Sequence, residues 1–382
     1  MLASVLLDAC MDAGIDFFTG VPDSFLKGLC DELYVRFGTD SPTHIVAHNE
    51  GGAIGLCAGH TLATGRPALC YMQNSGLGNA VNPLVSLMDP KVYALPCLLV
   101  IGWRGEPGTK DEPQHVRQGL ITLPQLDTLG IPWEILSPET KDSDFSILFG
   151  RLLNVMKAGN SAALVVRKGA LTTESKPVYG NDASLTREDA AEMVLASASD
   201  SDIFVSTTGK LSREVFELRE KNHENHSRDF LTVGSMGHAS MIALRIAEEK
   251  PDRRVWCLDG DGALMMHMGS MPLIGRRKPS NLIHVVINNG AHETVGGMPV
   301  CSGSLHIREL AAASGYSHIL AADSAASLRE SLRRIPETAG PVLLEIRCAC
   351  GARKDLGRPT TTPVQNRDAF MAYLHADQES SS

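Results

Sequence analysis

The feature that most restricts this chain is the kind of apolar run it carries. Cys97–Gly102, Ala162–Val166, Val255–Asp259 and Leu282–Asn288 are almost unbroken apolar runs, with no regular polar alternation. A strand with one wet face alternates with period two, whereas a strand covered on both faces reads apolar throughout. The stretches between these runs are long enough for crossover helices. The expected class is therefore α/β, with parallel sheets and helices on both faces.

The first half predicts a helix near 4–13, a strand Ile15–Thr19, a helix near 25–37 and a strand near 43–47. A helix from Glu50, strands near 67–72 and Pro96–Gly102, then Trp133–Leu136, a helix near 140–158 and Ala162–Val166 complete it. Gly169–Leu185 is rich in Gly, Ser, Thr and Pro and reads as a connection. The alternation then restarts with a helix from Arg187, Ile203–Thr207, a helix from Leu211, Phe230–Val233 and a helix from Met236. Val255–Asp259, a helix near 263–274, Leu282–Asn288 and Pro341–Arg347 follow. The expected division is an α/β domain over 1–170, a linker over 171–186, a second α/β domain over 187–350 and an irregular tail over 351–382.

Composition removes several function classes. A length of 382 residues with 43% hydrophobic and 21% charged side chains allows each half its own core. A formal charge of −9 argues against nucleic acid, whose binding needs clustered Lys and Arg. No apolar run approaches the roughly 18 residues of a membrane span. The opening run is interrupted by Asp8 and Asp12 and reads as an amphipathic helix, not a signal peptide. The nine cysteines show no CxxC or zinc spacing, which points to reduced, packed thiols in a cytoplasmic enzyme. Gly52 to Gly59 contains no GxGxxG, so a nicotinamide fold is disfavoured.

The chemistry concentrates in Leu258-Asp-Gly-Asp-Gly-Ala263 and Val286-Ile-Asn-Asn-Gly290. Asp261 and Asn289 stand 28 residues apart, one βαβ crossover, each just beyond an apolar strand. That spacing brings both to the carboxyl edge of neighbouring strands, where open α/β sheets bind ligands. Magnesium takes hard oxygens in nearly octahedral geometry, shared between protein, phosphate and water. Asp261, Asn289 and the carbonyl of Ala291 supply such oxygens, while Gly260 and Gly262 let backbone approach an anion at a helix start. Each half alone is an ordinary turn; the pair at crossover spacing points to a magnesium diphosphate.

On these motifs the chain resembles the thiamine diphosphate enzymes. The resemblance implies that Asp261 and Asn289 are metal ligands, with Asn288 the poorer choice. It makes Met236, in Phe230-Leu-Thr-Val-Gly-Ser-Met-Gly-His-Ala239, the apolar wedge that bends the cofactor, and gives the Gly234 carbonyl its 4′-amino group. It assigns Glu50, in His48-Asn-Glu50-Gly-Gly-Ala-Ile-Gly-Leu-Cys-Ala-Gly59, to the acid at N1′ of the aminopyrimidine, where burial would raise a carboxyl pKa. Asn74 and Ser75, in Tyr71-Met-Gln-Asn-Ser-Gly-Leu-Gly-Asn79, would line the pyrimidine side, and Asp23 and Ser24 would face the substrate. The first domain would be pyrimidine-binding and the second diphosphate-binding. The smallest active unit would be a homodimer with its site across the subunit interface.

No room remains for the middle domain of longer members, and the compact build resembles the phosphonopyruvate and sulfopyruvate decarboxylases. That likeness includes 18–24, 48–56, 72–79, 105–115, 288–297 and 353–363. It implies decarboxylation of a 2-oxo acid bearing an anionic group. Phosphonopyruvate is favoured by Asn288-Asn-Gly-Ala-His-Glu293, although Met298 stands where a polar Gln is expected. Sulfopyruvate is the alternative; a carboligase of the acetolactate synthase type and a non-catalytic cofactor-binding subunit are more distant. Arg104, Lys110 and Arg117 are candidates for the anion, ahead of Arg353 and Arg358. His115, expected on a loop, and His292 are candidates for proton transfer. Val295 replaces the glutamate that some relatives carry there.

Overall fold

A computed structural model describes residues 1–300 and 305–376; Cys301 and the closing QESSS lie outside the described residues. Two compact units emerge, one of residues 1–179 with 298–300 and one of residues 180–297 with 305–376. The division falls between Tyr179 and Gly180, inside the stretch read as a linker. That stretch is not slack. Leu171 is packed in the first unit's core, and Leu185 in the second's.

The first unit holds β1 (Phe18–Gly20), β2 (His44–Val46), β3 (Ala68–Gln73), β4 (Cys97–Gly102), β5 (Trp133–Leu136) and β6 (Ala162–Val166). All pair in parallel, in the order β2-β1-β3-β4-β6-β5. The unbroken apolar runs have a direct explanation here. Leu98 and Val100 of β4 enter one core cluster, and Cys97, Leu99 and Ile101 enter another on the opposite face. Each such fully buried aliphatic side chain contributes ~1.5–3 kcal/mol, so neither face tolerates a polar residue cheaply.

The second unit repeats the plan with β7 (Ile203–Ser206), β8 (Asp229–Leu231), β9 (Val255–Gly260), β10 (Leu282–Asn288), β11 (His318–Ala322) and β12 (Val342–Arg347). Its parallel order is β11-β12-β10-β9-β7-β8. In each sheet the winding reverses between the first and third strands, β1/β3 and β7/β9, and again at the last strand, which inserts between β4 and β5 or between β10 and β11. Ligands of open α/β sheets bind at such reversals. Both sheets therefore present their reversal loops at a carboxyl edge. No third, middle domain is present among the described residues.

Several expectations need correction. His115 lies on the first turn of a helix, Pro113–Thr128, and not on a loop; Pro124 inside that helix hid its pattern. The expected helix 263–274 is two helices, Asp261–Met266 and Ser270–Arg277, broken around Gly269. Met236 does not open a helix; the helix begins at Ala239, after a turn in which Gly234, Ser235 and Gly237 take positive φ. The tail contains the helix Pro363–His375, started by a Thr362/Gln365 capping box and held by the buried Phe370. The helix Ile307–Ser314, β11 and the helix Ala325–Arg334 were not foreseen. As an edge strand, β11 leaves His318 and Ala321 exposed, so it carries no continuous apolar run. Among the described residues, no helix is long and apolar enough to cross a membrane.

Candidate active site

At the carboxyl edge of the second sheet, Ile287 of β10 pairs with Gly260 of β9, so Asp261 and Asn289 leave adjacent strands almost level. Both are buried, at 3% and 5% exposure. Asp261 Oδ2 accepts from the Gly290 amide at 2.9 Å, which ties the acid to the loop that carries Asn289. The Asn288 amide turns away and donates to Glu345 Oε1 at 2.9 Å, so Asn289 is the better placed of the two. The Asn289 side chain accepts from the Ala291 amide at 3.2 Å, and the Ala291 carbonyl accepts from Glu293 N at 2.9 Å. A carboxylate after β9 and an amide oxygen and a carbonyl after β10 form a hard-oxygen set that suits magnesium. A side chain placed on Gly260 would meet nothing within 4 Å, so the backbone beside Asp261 is open to a ligand.

The turn after β8 carries Gly234, whose amide donates to Thr208 Oγ1 at 2.9 Å, and Met236, half-buried. This places the proposed wedge on a turn tethered at Gly234. His292 lies in the β10 loop, and burial of its ring lowers its pKa to about 4.

At the carboxyl edge of the first sheet, Glu50 is the first residue of the helix Glu50–Thr64, which Asn49 caps through the Gly52 amide at 2.7 Å. Its carboxylate is only 5% exposed, and Oε2 accepts from Asn79 Nδ2 at 2.8 Å. Oε1 lies over Gly76, where an added Cβ would come within 2.4 Å. The turn after β3 therefore needs glycine at 76 to leave room for the acid.

Across the β1/β3 reversal, Asp23 is fully buried and accepts from Gln73 Nε2 at 2.6 Å and from Phe25 N at 2.9 Å. Burial raises its pKa, against the pull of those hydrogen bonds and of Arg104. Ser24 accepts from Arg104 Nη1 at 3.1 Å, and the Arg104 guanidinium lies 4.9 Å from the Phe25 ring. Arg104 Nε also donates to Asp111 Oδ2 at 2.8 Å, within a two-pronged ion pair. The main anion candidate is thus held in place and largely neutralised by an acid that sequence reasoning missed. Lys110 and Arg117 are exposed.

Asn74 is bonded to the loop after β4 and to the helix that follows it. Its amide donates to the Arg104 carbonyl at 2.8 Å and to Thr122 Oγ1 at 2.9 Å, and accepts from Arg104 N at 3.2 Å. It ties the start of the loop after β4 to the helix Pro113–Thr128. Ser75 is exposed and donates to Gln73 Oε1 at 2.7 Å. The helix bearing His115 reaches this edge because Gly119 meets the Gly105 carbonyl so closely that an added Cβ would stand 1.6 Å away. His115 is 7% exposed, and its Nδ1 is buried without a hydrogen-bond partner among the described residues. Burial, and next the Arg104 guanidinium, lower His115 to about 4, with Asp111 opposing. An orphaned ring nitrogen beside an arginine is a group waiting for a ligand or a proton.

Residues 1–126 match the thiamine pyrophosphate enzyme N-terminal TPP binding domain, and residues 207–346 match the corresponding C-terminal TPP binding domain. Phosphonopyruvate decarboxylase of Streptomyces viridochromogenes is 32% identical, over 97% of this chain and 94% of its own. The chain belongs to the thiamine pyrophosphate enzyme family. A second relative, phosphonopyruvate decarboxylase of Streptomyces hygroscopicus, is 33% identical over 97% of this chain and 93% of its own. Sulfopyruvate decarboxylase of Methanosarcina acetivorans is 26% identical, with 78% of each chain covered. As a thiamine pyrophosphate enzyme with these relatives, the chain is a 2-oxo acid decarboxylase that uses thiamine diphosphate.

Proposed function

We propose that this enzyme converts phosphonopyruvate to phosphonoacetaldehyde and carbon dioxide, with magnesium holding the diphosphate of its cofactor. The observation that carries the substrate is a likeness that runs nearly end to end along two phosphonopyruvate decarboxylases. Bound thiamine diphosphate supplies the electron sink that accepts the electrons of the breaking carbon–carbon bond. Asp261, Asn289 and the Ala291 carbonyl hold the metal, Met236 and Gly234 shape the cofactor's seat, and the backbone at Gly260 and Gly262 approaches the diphosphate. Glu50 holds and releases a proton at the carboxylate oxygen that Asn79 does not occupy. Asp23 and Ser24 orient Arg104, and Arg104 with Lys110 meets the anionic group. His115 and His292 handle the proton that replaces carbon dioxide.

We further propose a homodimer as the smallest active unit, with Glu50 of one subunit serving the Asp261 loop of the other. The eight cysteines among the described residues are all free, which supports a cytoplasmic setting. Sulfopyruvate is the alternative substrate, because the Arg104 network would also suit a sulfonate and a sulfopyruvate decarboxylase is among the relatives.

An aldehyde-release assay with phosphonopyruvate, sulfopyruvate and pyruvate, given thiamine diphosphate and magnesium, tests both readings. Phosphonopyruvate should turn over fastest, and Glu50→Gln should reduce that turnover at least ~100-fold, the usual worth of a positioned acid–base group. A preference for sulfopyruvate overturns the substrate, and an active Glu50→Gln overturns the acid.

A further inference from the structure

We infer that Glu293 is a positioning residue for the metal, one that sets which end of the Asn289 amide a cation meets. The inference rests on the reading of Asn289 as a magnesium ligand. The Glu293 carboxylate gathers donors from three separate loops. Its Oε2 accepts from Asn289 Nδ2 at 3.2 Å and from the Gly351 amide at 2.7 Å. Its Oε1 accepts from Lys210 Nζ at 3.2 Å. These donors follow β10, β12 and β7 in turn, while β9, which ends at Gly260 and leads into Asp261, lies between β10 and β7 in the sheet. The brace therefore joins the loops on either side of the strand that carries the acidic ligand. It is well sheltered, with Glu293 14% and Lys210 27% exposed.

The main chain of Asn289 is fixed separately. Its carbonyl accepts from Asn181 Nδ2 at 2.9 Å and from Cys350 Sγ at 3.1 Å. With the backbone pinned, the remaining freedom of Asn289 is rotation of its amide, whose two ends are nearly equal in size and opposite in charge. A cation needs the oxygen; the NH2 end would repel it. A carboxylate can accept only from the NH2 end, so Glu293, together with the Ala291 amide that donates to the oxygen at 3.2 Å, holds the oxygen at the other end. Thr294 supports the same closure, since a side chain on Gly209 would come within 2.6 Å of its Oγ1. Groups that orient a metal ligand typically change metal affinity about 10–100-fold when removed.

The test uses Mn2+ as the probe, titrated into the full-length protein with saturating thiamine diphosphate and followed by electron paramagnetic resonance. Circular dichroism melting of each variant is the fold control. Glu293→Ala should weaken Mn2+ binding about 10–100-fold. Glu293→Asp keeps the charge but not the reach and should also bind weakly. Glu293→Gln keeps the reach and one oxygen and should retain most of the affinity. If Asp retains the affinity and Gln loses it, the residue acts by charge alone and positioning is wrong. If all three bind Mn2+ like the parent while Asn289→Ala binds weakly, Glu293 has no role and Asn289 remains a ligand. If Asn289→Ala also binds like the parent, the ligand reading itself falls. Should Glu293→Ala fail to fold, the contrast between Asp and Gln still decides the matter.

Discussion

A histidine held at about 4 is neutral near pH 7, and a neutral imidazole is a poor proton donor. If the anion binds at Arg104 as proposed, the substrate supplies the correction at His115. An anion arriving beside Arg104 offsets the guanidinium that helps depress the ring, and a nearby negative charge favours imidazolium. The pH dependence of kcat/KM reports the free enzyme, and that of kcat the substrate complex. A donor must carry its proton, so the limb on which kcat/KM falls with rising pH should lie near 4, and the corresponding limb of kcat at higher pH. His115→Asn should lose both limbs and slow turnover by ~100-fold or more. Unchanged limbs in the variant would remove His115 from proton transfer. Residue identity alone could not reach this point. Arg104 and Asp111 are both visible in the sequence, but their pairing depends on how the chain turns after β4. Asn74 is similar: its bonds to the Arg104 backbone and Thr122 depend on loops that the sequence does not place.

At the level of elements, the start of the helix Glu50–Thr64 and the turn after β3 form one device, and glycine decides its geometry. Gly76→Ala would drive a methyl group to 2.4 Å from Glu50 Oε1, so either the turn or the acid must move. Overpacking of this kind costs about 1–3 kcal/mol. The expected result is a lower melting temperature together with a loss of decarboxylation larger than that stability change explains. Gly78→Ala is the control, because an added Cβ there meets nothing within 4 Å. Equal behaviour of the two variants would show that the Gly76 contact does not hold the carboxylate in place. The helix Pro113–Thr128 works in the same way through Gly119 and Gly105, which let it approach β4's end and deliver His115. Close backbone approaches leave only a glycine in the sequence, and most glycines mark nothing of the kind.

For the whole molecule, burial of histidines makes folding sensitive to acid. His115 is lowered to about 4 and His44, enclosed between Gly38 and Tyr71, is lowered by burial as well. A folded-state pKa below the unfolded value of about 6.5 means that the unfolded chain binds the proton first. Stability is therefore fully present above about pH 6.5 and is lost as pH falls toward about 4. Urea unfolding at pH 7.5 and pH 5 should show a lower midpoint at pH 5, and a smaller drop in His115→Asn; an equal drop would assign the acid sensitivity to other groups. At this scale the sequence by itself determined a great deal. Unbroken apolar runs specified two covered parallel sheets, because burial on both faces leaves its mark on every residue of a strand. The crossover spacing brought Asp261 and Asn289 to adjacent strand ends, because one βαβ unit has a nearly fixed length. Only the tertiary structure decided the rest: that β11 is an edge strand, that Asp111 claims Arg104, and that Glu293 ties Asn289, Lys210 and Gly351 together. Periodicity records whether a side chain meets oil or water, whereas the partner of a charge or amide is set by where distant loops converge.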